Sequence, residues 1–504
     1  MVSILRGVIA ANRSANRAGQ SATRGLLAGF EQRQLEKPDR RTRKRGYLVA
    51  GDRPPPPGVD VLDYSGLTVG KPLGKLRDRD GVVLGGLVDP VGAKVCGPYL
   101  IPVERFFQHI AVVAPPGKGK THGIIAPLAV RLVRAGVSVI ALDAKGDLID
   151  ELRQFADDLP VRPQIKMFRW STDPHNGPHN WNPLSGVHPD DLTAIEGLKV
   201  SILGSEPDDP KHRLFHDKEL RVCGAVLRVL LREYPDPTLP DLLSLVLNRP
   251  HLDTLLRKPE HADANLELFE YMSAEPSKAA EMVSTLQNRL APFVAAQTRH
   301  RTAASDFTIA EVLAEPTLLI AGAEMKLGQR GEIAAALLLN RVSAEFQSGF
   351  GRRAGVPVVI LMDEAPVLAK RVDLSKLLAT ARGARVGVVL AAQNVTQFGD
   401  EDKRSQIFDA CDTMVLLEGA SDASIKTFQS RLGERSAQST TLTNQAGVYA
   451  GSSTRSTHMV PVLAAREIAQ TPWGSYSAMV HSKSDRIGPV AVDLGRAVSI
   501  DVDC

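Results

Sequence analysis

An unbroken apolar segment, HIAVVA from His109 to Ala114, runs through PPGKGKT into IIAPLAVRLVRAG, which has helical periodicity. A loop that ends a buried strand and opens a helix aims successive backbone N–H groups, and the positive end of the helix dipole, at one point. A chance Gly/Lys-rich turn lacks that setting of strand, loop and helix. The pattern is a P-loop in which Ala114 stands where the first glycine is usual, a position that mainly has to be small where the strand turns. Ala114, Pro115, Pro116, Gly117, Lys118, Gly119, Lys120, Thr121 and His122 are therefore predicted to bind nucleotide. Lys120 is expected to reach the β- and γ-phosphates and Thr121 to offer its hydroxyl to Mg²⁺, making ATP and Mg²⁺ the expected cofactors.

A nucleotide site of this kind needs an acid at the end of another buried strand. The run Val358–Met362 ends directly in Asp363 and Glu364, a Walker B pattern. Asp363 is expected to hold the Mg²⁺ shell, and Glu364 to orient or deprotonate the attacking water. The next apolar run, VGVVLAAQ, ends at Gln393, whose amide could sense the γ-phosphate or simply cap a loop. Arg382 and Arg385 precede that run, and either could be an arginine finger or a solvated helix end.

Six apolar runs rich in Val, Ile and Leu read as strands buried on both faces: 109–114, 137–142, 317–321, 358–362, 386–391 and 414–417. Helical patterns at 332–346 and 374–382 lie between several of them, so the fold class is α/β, a RecA-like P-loop NTPase core with a mostly parallel sheet. The interval 190–304 has helix-like spacing, as in Leu220–Leu231 and Leu239–Leu247, and no convincing strand, which predicts an all-helical insertion domain. The flanking units are a basic N-terminal arm at 1–50, a Pro-rich linker and β-hairpin lead-in at 51–108, and a core built from 109–189 and 305–504. The Ser/Thr/Gly-rich stretch Ser436–Thr457 reads as a mobile loop.

Composition narrows the function less than the motifs do. With 504 residues, 43% hydrophobic and 23% charged, the chain has the makings of two or three packed domains. The net charge of +4 does not announce a nucleic-acid binder, yet the first 45 residues concentrate Arg6, Arg13, Arg17, Arg24, Arg33, Lys37, Arg40, Arg41, Arg43, Lys44 and Arg45. Cys96, Cys223, Cys411 and Cys504 form no CxxC pair, which speaks against a disulfide framework or a zinc ribbon. No stretch reaches the roughly 20 apolar residues of a membrane span, and the start, MVSILRGVIAANR, has too short an apolar run for a signal peptide. A cytoplasmic protein, peripheral at most to the inner face of the membrane, is expected. His212 and His216 stand four apart without a third metal ligand, and His175 and His179 sit in a loop-like stretch.

Beyond these readings, the ordered motifs resemble the TraG/TraD-like coupling proteins of conjugation and type IV secretion. Asp143-Ala-Lys145-Gly146-Asp147 resembles that family's Asp-Pro-Lys-Gly-Glu segment, and Asn182-Pro183-Leu184 its Asn-Pro-Leu element. DEAPVLAK followed by ARGARVGVVLAAQ carries the family's finger-like arginine onto Arg382 and its sensing glutamine onto Gln393. Pro461-Val-Leu463 and Glu467-Ile468 resemble its closing segment. The resemblance implies an ATP hydrolase, a homohexamer with nucleotide between subunits, which moves DNA without sequence readout, with attached relaxase or secreted protein cargo, toward the secretion channel. Two alternatives stay open at this point: an ATP-regulated substrate receptor that does not pump DNA, and a translocase of the FtsK/HerA type. Typical members carry N-terminal transmembrane helices, whereas this chain shows only the basic arm.

Overall fold

The computed structural model describes residues 82–89, 94–143, 148, 151–152, 164–170, 179–204, 206–207, 209–295, 298–323, 329–348, 356–369, 371–443, 452–469, 477–484 and 489–494. The basic arm, the Pro54–Pro57 spacer, His175 and 144–147 lie outside them. The strands are β1 (Val82–Asp89), β2 (Lys94–Ile101), β3 (Ile110–Val113), β4 (Ser138–Asp143), β5 (Gln164–Trp170), β6 (Thr317–Ala323), β7 (Val358–Met362), β8 (Val386–Ala392), β9 (Thr413–Leu417), β10 (Glu434–Thr443), β11 (Ser452–Pro461), β12 (Ser477–Ser482) and β13 (Val490–Asp493).

The apolar runs become strands because both sheet faces are covered. Along β3, Ala111 and Val113 enter one hydrophobic core, while Ile110 and Val112 enter the other. β7 divides likewise, with Val358, Ile360 and Met362 on one side and Val359 and Leu361 on the opposite side. Side chains alternate across a strand, so apolar residues are required at every position.

Eleven strands form one sheet in the order β2-β1-β13-β12-β9-β3-β8-β7-β4-β6-β5. From β9 to β5 every pairing is parallel, whereas β12, β13, β1 and β2 extend the sheet antiparallel. The chain leaves β3 and returns as β4 three places along, with β8 and β7 between them. A switch of this kind opens a crevice at the carboxyl ends of the strands. The doubly wound α/β sheet matches the fold class read from the sequence.

Three features differ from the sequence reading or extend it. The segment QIKMFRW forms β5, which pairs with β6 and closes one edge of the sheet. Its alternating polar residues hid it from a search for continuous apolar runs. Ser436–Thr457, expected to be a mobile loop, lies instead mostly within β10 and β11, paired antiparallel from Glu434↔Pro461 to Thr443↔Ser452. Thr is a good strand former when it pairs across a ribbon, so Ser/Thr richness alone misleads. Finally, from Leu192 to Ala314 every described element is helical. This helical segment shares the larger core: Trp170, at the end of β5, stacks on Phe293 with ring centroids 4.7 Å apart.

One close approach fixes how the lead-in meets the sheet. A Cβ added at Gly387 in β8 would lie 2.6 Å from the Phe106 carbonyl oxygen and 2.8 Å from its carbon, both backbone atoms. Gly387→Ala is expected to cost roughly 1–3 kcal/mol through overpacking. Thermal unfolding of the variant should show a lowered midpoint, and an unchanged midpoint would refute this account of the contact.

Candidate functional site

The loop Pro115–Lys120 follows β3 and enters a short π-helical turn, Thr121–Ile125, continued by the helix Ala126–Arg134. Ala114 is completely buried and donates its N–H to the Ala392 carbonyl at 3.0 Å, which accounts for the small residue there. Gly117 and Gly119 adopt left-handed φ values of 73° and 76°, a conformation that favours glycine. A Cβ at Gly117 would meet nothing within 4 Å. Open space therefore lies beside the loop where a Gly117 side chain would stand.

Lys120 turns inward to the ends of two other strands. Its Nζ donates to the Asp363 main-chain carbonyl at 2.6 Å and to Glu364 Oε2 at 3.2 Å. Thr121 Oγ1 donates to both Asp363 carboxylate oxygens, at 3.1 and 3.0 Å. From the end of β8, Gln393 Nε2 donates to the same Glu364 oxygen at 3.2 Å. Lys120, Asp363 and Glu364 are all buried. Three strand ends, β3, β8 and β7, therefore deliver one ammonium, one hydroxyl, one amide and two carboxylates to a single point. Such a group can neutralise phosphate charge, complete an octahedral Mg²⁺ shell, and accept a proton from water.

Arg382 and Arg385 are not part of this group. They lie at the end of the helix Leu374–Gly383 and just before β8, while Gln393 follows the end of β8. Seven strand residues separate the two ends, roughly 23 Å at about 3.3 Å per residue. Both side chains are exposed, and Arg382 has no hydrogen-bond or ion-pair partner among the described residues. Pro116 and His122 are also exposed at the loop surface, His122 lying 3.7 Å from Glu151.

Sequence reasoning missed three residues, two beside this group and one at the opposite end of β3 and β8. Gln397 accepts the N–H groups of Gln393 and Asn394, both at 3.1 Å, and so fixes the backbone that carries the Gln393 amide. Glu418, following β9, pairs with Lys118 of the loop at 3.4 Å. Gln397, four positions after Gln393 in a polar turn, offered a weak capping signal, and Glu418 offered none. The third is His109, whose ring is buried between Leu378 and Val388. Elsewhere, His212 and His216 form no metal-type group. Among the described residues Glu233, Glu260 and His261 do lie close together, but both Glu233 oxygens already accept hydrogen bonds from Lys258 and His261.

Burial, with the Arg382 charge adding to it, pushes the His109 imidazole down to about 4 from its ordinary 6.5. The unfolded chain takes up this proton first as pH falls, so the stability due to neutral His109 is whole above about 6.5 and is lost on the way down to about 4. The loss amounts to at most about 3 kcal/mol. Unfolding midpoints measured from pH 7 to pH 4 should fall more steeply for the wild type than for His109→Asn, and parallel curves would contradict the assignment.

Comparison with known proteins bears on the family and the fold. The family described as "Type IV secretory system Conjugative DNA transfer" matches residues 73–468. No curated protein sequence matches the chain. Among solved structures, the bacterial conjugative coupling protein TrwBdeltaN70 in its unbound monoclinic form is similar with a TM-score of 0.57 at 16% identity, covering 81% of this chain and 88% of that one. TrwB in complex with ADP and Mg²⁺ gives a TM-score of 0.58 at 15% identity, covering 83% and 89%. TrwB with a non-hydrolysable ATP analogue gives 0.58 at 15%, covering 83% and 90%.

Proposed function

The chain belongs to the family of type IV secretory system conjugative DNA transfer proteins, and on that footing we propose that it is an ATP hydrolase that couples DNA, with attached relaxase or other protein cargo, to a type IV secretion channel. The observation that carries the reading is the meeting of Lys120, Thr121, Asp363, Glu364 and Gln393 at the ends of three strands.

The residues present suit ATP and Mg²⁺. Gly117 has open space where a side chain would stand, and the left-handed φ at Gly117 and Gly119 suits a loop that turns its N–H groups to phosphate. The carboxylate-hydroxyl pair Asp363–Thr121 is an oxygen donor set of the kind Mg²⁺ takes. Bound Mg²⁺-ATP supplies the phosphoryl group that is transferred to water. Lys120 would exchange Glu364 for the β- and γ-phosphates, and Thr121 and Asp363 would hold the metal. Glu364, released from Lys120, takes the proton of the attacking water, while Gln393 keeps that carboxylate oriented. Arg382 or Arg385, too far from the P-loop of its own subunit, supplies positive charge to the site of a neighbour. That arrangement calls for a ring, and a homohexamer is the assembly proposed.

DNA is held through its phosphates without base readout, which suits a protein that must move along any sequence. Cargo recognition falls to the helical segment between β5 and β6, and the channel components are the remaining partners. No helix among the described residues is long and apolar enough to cross a membrane. Any attachment at the inner membrane face would run through the basic arm or through a channel protein.

Steady-state ATP hydrolysis by the purified full-length chain, with and without single- and double-stranded DNA, tests this. DNA should stimulate turnover, and the stimulation should fall steeply with salt. Glu364→Gln should lower kcat about 10²–10⁴-fold while nucleotide still binds, and Lys120→Ala should abolish both binding and turnover. Nucleotide binding without DNA-dependent turnover would favour a substrate receptor that does not pump DNA.

A further inference from the structure

We propose that His109 is a positioning residue for this reaction, setting the corner that carries Arg382 and Arg385 toward the nucleotide of the neighbouring subunit. The proposal rests on the reading above that one of these arginines acts in trans.

The His109 ring spans that corner. Its Nε2 lies 2.8 Å from the Leu378 carbonyl oxygen, and its Nδ1 lies 3.2 Å from the Val388 amide nitrogen. An amide can only donate and a carbonyl can only accept, so Nδ1 is the acceptor and Nε2 carries the proton. A neutral ring in a single tautomer satisfies both partners. Leu378 precedes Arg382 by one helical turn, and Val388 follows Arg385 by three residues. One imidazole therefore fastens both ends of the turn from helix to strand.

The ring is itself fixed from behind. His109 adopts a left-handed φ of 64°, its N–H donates to the Phe106 carbonyl at 3.0 Å, and its carbonyl accepts from Asp412 at 3.1 Å and from Thr413 at 3.3 Å. Its neighbours touch the same corner. The Arg385 guanidinium lies 5.8 Å from the centre of the Phe107 ring, and the Phe106 carbonyl abuts Gly387. Phe106, Phe107 and His109 thus all hold one corner, whose Arg385 is in turn strained at a φ of 55°.

Rigidity here has a chemical purpose. The Arg382 guanidinium is exposed and has no hydrogen-bond or ion-pair partner among the described residues, so its starting point is set by the backbone beneath it. A displacement of about 1 Å at a reacting centre can cost on the order of a hundredfold in rate. The neutrality of the ring matters too, because a charged imidazole would lose its acceptor for Val388 and repel Arg382.

The test uses full-length His109→Ala, His109→Asn, Arg382→Ala, Arg385→Ala and Lys120→Ala, alone and in pairs co-expressed and purified through two tags. His109→Ala should bind a fluorescent ATP analogue within about twofold of the wild type, yet lose roughly ten- to a hundredfold in DNA-stimulated kcat with KM little changed. His109→Asn tolerates positive φ and keeps an acceptor for Val388, so it should retain more activity; it also serves if the alanine variant does not fold. Co-assembly of His109→Ala with Lys120→Ala should regain activity, up to about a quarter of the wild type, because in a head-to-tail ring about one interface in four joins an intact P-loop to an intact corner. A residue that merely supported its own P-loop would give no recovery.

Recovery by an arginine variant mixed with Lys120→Ala, without recovery by His109→Ala, would overturn the role of His109 and leave the trans reading standing. If neither arginine variant loses activity alone, the trans reading falls and the positioning role falls with it. Wild-type turnover by His109→Ala would also overturn the proposal.

Discussion

The Lys120 ammonium, held between the Asp363 carbonyl and the Glu364 carboxylate, is the contact on which the rest of the site depends. It can form only if β3 and β7 end at the same level with β8 between them, and the strand order supplies that. The parallel register then brings Gln393, at the end of the intervening strand, to the same carboxylate. Elements far apart in sequence are thus brought to one charge.

Buried charges are costly, and a buried ion pair commonly does no better than breaking even against a hydrophobic replacement, whereas removing one partner costs about 3–5 kcal/mol. Lys120, Asp363 and Glu364 are all buried, so this cluster is a poor device for stability and a good one for reaction. Its groups hold one another in place while remaining able to exchange partners. On the proposed reading, a lysine that can choose between a carboxylate and a phosphate would link the state of Glu364 to what the P-loop holds.

How legible this was in the sequence follows from how local each signal is. The P-loop and the Asp363–Glu364 pair are contiguous stretches tied to strand ends, so residue pattern and spacing sufficed for both. The central strands were equally plain, because burial on both faces demands apolar residues throughout. β5 escaped because an edge strand can alternate, and β10 and β11 escaped because Ser and Thr suit a paired ribbon as readily as a loop. His109 was invisible for a different reason. Its partners are backbone atoms of Leu378 and Val388, 269 and 279 residues away, and backbone atoms leave no mark in a pattern of side chains.

β8 gathers these threads. Its far end carries Gln393, clamped by Gln397 and bonded to Glu364; its near end begins at the Arg382–Arg385 corner, clamped by His109. Its seven residues are fully buried, with Val386–Leu390 paired to β7 and Val389–Ala392 paired to β3, so every residue of the strand is held in at least one ladder. On the proposed reading, one end of this rod senses the nucleotide of its own subunit and the other completes the site of the next. Around a closed ring, each subunit would then be both sensor and finger. A shift at Glu364 would be transmitted by the length of a strand rather than by a flexible loop, since packed elements move as units between discrete arrangements.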